Sequence, residues 1–413
     1  MSVRYKTAMT LHVVLLMVLA GSERVAAPCG TGPLVEGKVV TDTPSLAKPP
    51  KGVVVEEPTF HTCLRRVADH DKDGIRGFSR SDYSRRQSFN ADSSLFFTSS
   101  QDGGWYLYDA KTFKVLGQLT ALQGDAEPQW HPTQPNILYY GYRNGGMQIM
   151  ALDVRAGKSH VVIDLNGKLP WPKAARAWTK SEGSPSADGR TWGFQVETDN
   201  FEILGFAIWD VQKNQLVSTL STGTRPDHVS MSPSGRWFVA SGDDAVDAFS
   251  RDFKTRRRLA KNGEHSDIAL GADGHDYYVS IDYGSNEGWV YMTDLETGVR
   301  TDLFRTYFNG AASAMHFSGK AFAKPGWVLI STYTSSGPKQ WYFDKIFATE
   351  LKANPRIYQL AAHRSAVKGA YFAEPQATVN RDFTRVMFNT NWGLAGSEDV
   401  DAFEVLVPSN AFR

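Results

Sequence analysis

Histidine, arginine, glutamate, glutamine and tyrosine recur at one place in a repeating pattern, in the segment that leads into an apolar strand. In chain order these segments are Tyr83-Ser84-Arg85-Arg86-Gln87, Glu127-Pro128-Gln129-Trp130-His131, Glu182-Gly183-Ser184, Arg225-Pro226-Asp227-His228, Glu264-His265-Ser266-Asp267, His316 and Glu374-Pro375-Gln376. Brought together, a His or Tyr base, a second acid and an Arg opposite a carboxylate are the parts needed for β-elimination from a uronic acid. The base removes the C5 proton, and the cation stabilises the enolate-like charge that results. On this reading His228, His265, Tyr83 and Arg225 are the expected catalytic groups. Arg85, Gln87, Glu127, Trp130, His131, Glu182, His316, Gln376 and Trp392 are the expected substrate contacts, with the tryptophans suited to stacking on sugar faces. Each residue also has a structural alternative, because polar groups at strand starts satisfy loop amides and tryptophans pack in cores. The argument is a joint one: of ten histidines, His131, His228, His265 and His316 fall at or near the same place in the repeat.

The elements that must position these residues are short strands. A polar turn followed by an alternating apolar strand is clearest in Asn90 to Phe97, Ser186 to Phe194, Ser232 to Val239 and Gly271 to Val279, and looser in His131 to Tyr140 and Asn380 to Phe388. A seventh, irregular unit spans His316 to Tyr342. Second strands ending in Asp follow, as in Trp105 to Asp109, Met147 to Asp153, Gly205 to Asp210 and Trp289 to Asp294. Asp with Gly or Asn then supplies the β-turn. All-strand repeats of roughly 40 to 60 residues are the signature of a β-propeller. The expected fold is all-β, a seven-bladed propeller over residues 61–413, in which the segments leading into the innermost strands meet at one mouth of the central channel.

Composition agrees. A chain of 413 residues with 41% hydrophobic and 12% aromatic side chains can bury a large core. A closed ring also grows without splitting into domains. The net charge of +1 gives no electrostatic case for nucleic acid.

Residues 1–20 read as a signal peptide: Arg4 and Lys6 precede an apolar run from Met9 to Leu19, and Val18-Leu19-Ala20 offers a small-residue cleavage site. An uncleaved anchor is the alternative. The expected product is a secreted or periplasmic monomer with no membrane span in the mature chain. Residues 21–60 read as a linker that also holds a candidate ring-closing strand, Gly37-Lys38-Val39-Val40. Cys29 and Cys63 form either a disulfide in an oxidising space or two free thiols. Asp69-His70-Asp71-Lys72-Asp73-Gly74 has the alternating carboxylates of a calcium loop, but Arg80 stands at the twelfth position where a bidentate Glu is needed, which favours an acidic surface loop.

Three strings, Tyr83-Ser84-Arg85-Arg86-Gln87-Ser88-Phe89-Asn90-Ala91-Asp92, Glu127-Pro128-Gln129-Trp130-His131-Pro132 and Pro375-Gln376-Ala377-Thr378-Val379-Asn380-Arg381-Asp382, together with the blade pattern after residue 55, resemble the secreted bacterial propellers of the oligogalacturonate and ulvan lyase families. The resemblance implies a polysaccharide lyase acting on an acidic polysaccharide or oligosaccharide. The oligogalacturonate lyases hold manganese with several histidines and a glutamine. Gln376 and His363 are the similar positions here, while Val379 and Asn380 stand where further histidines would follow. The metal-free ulvan-type arrangement, with His and Tyr moving protons and Arg neutralising the acid, is the closer match. A divalent cation, calcium or manganese, stays open. The competing class is a non-catalytic propeller, TolB-like, that binds protein or glycan partners in the cell envelope. No Gly-x-Ser-x-Gly nucleophile elbow is present, and Ser186 to Trp192 only approaches a sialidase Asp box.

Overall fold

The computed structural model describes residues 29–30 and 32–412. The expected signal peptide lies outside the described residues. Within them are seven sheets, one for each blade, antiparallel except where Phe78–Ser79 runs parallel to Val400–Leu406, and little helix beyond a one-turn stretch at His70–Asp73 and a single 3-10 turn at Tyr371–Ala373. Blade one has the strands Leu95–Ser99, Trp105–Asp109 and Val115–Gln118, with a bridge from Phe89 to Phe96 in the innermost position. Blades two to five are four-stranded. Their innermost strands are Gln129–Trp130, Arg176–Trp178, His228–Met231 and Ser266–Leu270. Blade six is built on Ala312–Ser318, Trp327–Ser336, Lys345–Glu350 and Ile357–Ala362.

The recurring turn has one physical cause. A Ser or Asn side chain at its start accepts the backbone N–H of the residue five positions on: Asn90 from Leu95 (3.0 Å), Ser186 from Thr191 (2.9 Å), Ser232 from Trp237 (3.1 Å) and Asn380 from Arg385 (2.9 Å). Each bond satisfies a strand-end amide that would otherwise be buried unpaired. The same turn needs a left-handed residue, supplied by Gly189 and Gly235 and, where glycine is absent, by Ser93 and Phe383. The Asp that ends each second strand caps the next hairpin, as Asp109 does for Lys111 and Thr112 and Asp294 does for Glu296.

Burial follows strand position. Thr191–Glu197 in blade three is buried throughout, whereas the outermost strand of blade two, Lys158–Asp164, is exposed over its first four residues. Aromatic side chains lock neighbouring blades together. Tyr139 of blade two meets Trp192 of blade three edge to face at 5.5 Å, and Phe97 of blade one stacks on Trp130 of blade two at 5.8 Å.

Ring closure corrects the sequence expectation. Blade seven takes Thr378–Val379, Arg385–Thr390 and Val400–Leu406 from the end of the chain and Cys63–Arg66 and Val54–Glu56 from its beginning. The Gly37 to Val40 segment does not close the ring; instead the adjacent Val35–Glu36 adds a fifth strand to blade six. The stretch read as a linker is a strap tied down along its length: Thr43 accepts from Lys345 (3.1 Å), the Leu46 carbonyl from the Trp392 indole (2.9 Å), and Lys48 pairs with Asp401 (3.1 Å). Cys29 and Cys63 are disulfide-bonded, with their Cα atoms 5.2 Å apart.

The Asp69 to Gly74 segment is a one-turn helix at the surface, with Asp71, Lys72 and Gly74 exposed and its inner side tied down. Asp69 caps the one-turn helix, its carboxylate pairs with Arg66 at 2.8 Å, and Lys51 holds Asp73. His70 is buried, and both its backbone N–H and Nδ1 reach Oδ1 of Asp401, at 2.9 and 3.1 Å. Asp401 therefore joins Lys48, Arg66 and His70 to the last blade.

Candidate active site

One cavity of about 260 Å³ opens at the mouth of the channel, lined by Tyr83, Arg85, Glu182, Asp227, His228, Glu264, His265 and Tyr371 among others. Its residues come from the segments that lead into the innermost strands, which the ring brings to one end of the channel. Gly183 helps to fix Glu182, because a Cβ there would overlap the carbonyl of Val229 in the next blade.

Arg85 is buried and central. It forms an ion pair with Glu182, donates to the Ser266 carbonyl, and has Nη1 3.4 Å from His228 Nδ1. Its guanidinium also stands over the Tyr83 ring at 5.4 Å, within cation–π range. Asp227 is held by Lys180 at 3.0 Å and lies 3.5 Å from His228. Hydrogen bonding from His228, with Lys180 assisting, keeps the Asp227 carboxyl well below its ordinary pKa.

Beneath the cavity four rings are packed together. His316 packs against both His265 (4.4 Å) and Tyr333 (4.6 Å), which also meet each other at 5.8 Å, and Tyr83 meets it edge-on at 5.4 Å. His316 Nε2 bonds Glu374 at 2.8 Å, and its Nδ1 is buried with no partner among the described residues. The Tyr333 hydroxyl reaches His265 Nδ1 at 3.0 Å, and the Met315 carbonyl lies 3.1 Å from the same atom. Nε2 of His265 then has no partner among the described residues.

These surroundings set the charge states. Burial, reinforced by His316 and Arg85, lowers the His265 pKa to about 3; burial with the nearby charges of Arg85 and Arg80 does the same for His316. His228 is lowered by burial and then by Arg85. Burial raises the Tyr83 phenol above its ordinary range. At neutral pH the site therefore holds neutral imidazoles that can accept a proton and a protonated phenol that can give one, beside a fixed cation.

Tyr83, Arg85, Glu182, His228, His265 and His316 are thus gathered in one place, and others are not. Arg225 lies in the neighbouring cleft between blades three and four, bonded through Nε to Glu197 at 2.6 Å. His131 follows its short inner strand and caps the next turn, accepting from the amides of Thr133 and Gln134. Trp130 is a core residue whose indole donates to the Ser88 carbonyl (2.9 Å), and Trp392 stacks on Phe403 at 4.8 Å. Buried Glu127 accepts the amides of Thr179 and Ser181. Gln87 donates to the Lys320 carbonyl (3.1 Å) and lines a separate small cavity. Gln376 accepts from the buried Arg80 at 2.8 Å, and His363 ends the outermost side of blade six, where Nδ1 accepts from the Ser365 amide.

Tyr333, Glu374 and Arg80 were not among the expected site residues. Glu374 was visible in the repeated Glu-Pro-Gln tripeptide. Tyr333 was not, since it comes from the far end of a second strand, and the only hint is that Trp327–Ser336 has ten residues where neighbouring strands have six or seven.

Glu182, Asp227 and His228 offer donor atoms within 4.8 Å of one another, a group that could hold a divalent cation. Arg85 and Lys180 already sit on its two carboxylates, so a metal would compete with them there.

Comparison with solved structures agrees with this architecture. An oligogalacturonate lyase in complex with manganese superimposes with a TM-score of 0.60 at 14% identity, over 86% of this chain and 96% of that one. The propeller resembles those of the oligogalacturonate lyases. A second, from Vibrio parahaemolyticus, gives a TM-score of 0.59 at 13% identity, over 87% of this chain and 99% of its own. At such identity the likeness is one of fold. No protein-family model matches the chain, and no curated protein does.

Proposed function

We propose that this protein is a secreted carbohydrate-active propeller that cleaves an acidic, uronic-acid-containing polysaccharide by β-elimination. The observation that carries the reading is the cavity in which a neutral His265 with a free Nε2, a protonated Tyr83 and the buried cation of Arg85 lie together. In this reading His265 Nε2 takes the C5 proton. The electron pair moves into the carboxylate, whose growing charge faces Arg85, and then forms the C4–C5 double bond as the C4–O bond breaks. Tyr83 gives its proton to the departing oxygen, and solvent restores both groups. Glu182 and the Ser266 carbonyl hold Arg85 in place, so Arg85 takes the role expected of Arg225 from sequence. No step is assigned to a metal. The disulfide supports export to an oxidising space.

The competing reading, a non-catalytic propeller for protein or glycan partners, has one observation on its side: Tyr142, Phe201, Tyr371 and Leu394 are exposed apolar side chains in loops between strands. Incubation with a panel of acidic polysaccharides, with and without chelator, separates the two. Ultraviolet absorbance of an unsaturated uronide that His265→Ala abolishes supports the lyase. A flat trace on every polysaccharide favours the scaffold.

A further inference from the structure

The cleft between blades three and four, of about 660 Å³, opens into the central cavity, since Gly242 and Asp243 line both. Its volume suits a ligand-binding cleft. Its floor is apolar: Phe206, Phe249, Phe253 and Ala240. Its walls are polar but charge-balanced. Asp247 accepts from Arg256 and Arg258, each at 2.8 Å, and Glu197 takes Arg225, the Trp178 indole (2.9 Å) and Gln195 (2.8 Å).

These pairings leave hydrogen-bonding groups over. Arg225 and Arg258 each commit only Nε to a carboxylate, so their terminal nitrogens carry no partner among the described residues. The carboxylates of Asp243 and Asp244, on the exposed hairpin at the inner end of the cleft, are likewise without hydrogen bonds among the described residues. Planar donors and planar acceptors set around aromatic edges match vicinal hydroxyls above an apolar sugar face. They do not match a row of carboxylates, which Asp243 and Asp244 would repel. The central cavity differs, because there the buried guanidinium of Arg85, paired with Glu182, lines the wall.

Resting on the lyase reading, we infer that this cleft seats uncharged sugar residues next to the uronic acid held in the cavity. The substrate is then a mixed glycan and not a homopolymer of uronic acid. A glycan array carrying oligogalacturonates beside equally long oligosaccharides that alternate a uronic acid with a neutral sugar tests this, using the full mature chain. The expected result is preferential retention of the alternating chains. Arg258→Gln and Asp244→Asn, both on exposed side chains, should each reduce that preference by about tenfold, the weight of one or two hydrogen bonds. Arg225→Lys, which keeps a charge on Glu197, should do the same. Equal or better retention of the homouronates, or a preference that survives all three substitutions, overturns the inference while leaving the lyase reading intact. Retention of no acidic glycan overturns both. Thermal melting of each variant, unchanged from the parent, excludes loss of fold as the cause.

Discussion

Nε2 of His316 stands 2.8 Å from Oε2 of Glu374, yet the imidazole has a pKa of about 3, because burial and two nearby arginines outweigh that carboxylate. Burial raises the Glu374 pKa as it lowers that of His316, so the two share one hydrogen bond between groups that each disfavour charge, and that bond fixes the imidazole tautomer. Glu374→Ala frees the ring to change tautomer. It should lower turnover about tenfold or more with little change in KM, as expected of a residue that positions others. An unchanged turnover would mean that the ring stack holds itself.

His265→Ala and Tyr83→Phe should each lower kcat by about 10² to 10⁴, the usual weight of a positioned acid or base. Melting temperatures show whether the fold is kept. Activity in Tyr83→Phe within a few-fold of the parent would remove the phenol from the mechanism.

The pH profile follows from the same burial. A histidine pKa lowered to about 3 keeps the basic form of His265 populated at every pH above that value, while the raised Tyr83 pKa keeps the phenol protonated through the alkaline range. The profile of kcat/KM should be flat across neutral pH, with its acidic limb far below the ordinary histidine value of about 6.5. A limb near that ordinary value would show that the base is a solvated histidine elsewhere.

Stability should depend on pH through His70. Its pKa is raised by the hydrogen bond to Asp401. Its contribution is therefore fully present below the unfolded value of about 6.5 and disappears as pH rises through the higher folded value. Melting temperature should fall as the solution is taken from mildly acidic to alkaline, and the difference between parent and His70→Gln should shrink over the same interval. A constant difference would sink the linkage.

The Cys29–Cys63 bond closes a loop across a sequence separation of 34. Chain entropy puts the stability lost on reducing it at roughly 3 to 4 kcal/mol. The melting point in reductant should drop, and a Cys29→Ser, Cys63→Ser double variant should match it without reductant.

The ring was legible because its turns are made by side chains: Asn90, Ser186, Ser232 and Asn380 do one job and leave one sequence trace. The mouth was legible only as a neighbourhood. His228 and His265 sit at the start of inner strands and point their chemistry at the channel. His131, at the matching place in the repeat, follows a strand of two residues and has already passed into the turn. The two Glu-Pro-Gln copies show the same limit, since Glu127 caps backbone amides while Glu374 bonds a histidine. Sequence spacing places a residue near an opening; which way it turns depends on the neighbouring blade, and that contact is not local.

The closing of blade seven bears on how this molecule comes to exist. Arg65 and Glu404, paired across it, are 339 positions apart, so Cys63–Arg66 waits for a strand made far later. Until Val400–Leu406 emerges, Cys63–Arg66 presents an unpaired edge and six blades remain an open arc. Closure over so long a loop is the entropically late event. A chain shortened by only its last strand, Val400–Leu406, would lose the partner of Cys63–Arg66, and the cell would meet an arc with two sticky ends in place of a ring.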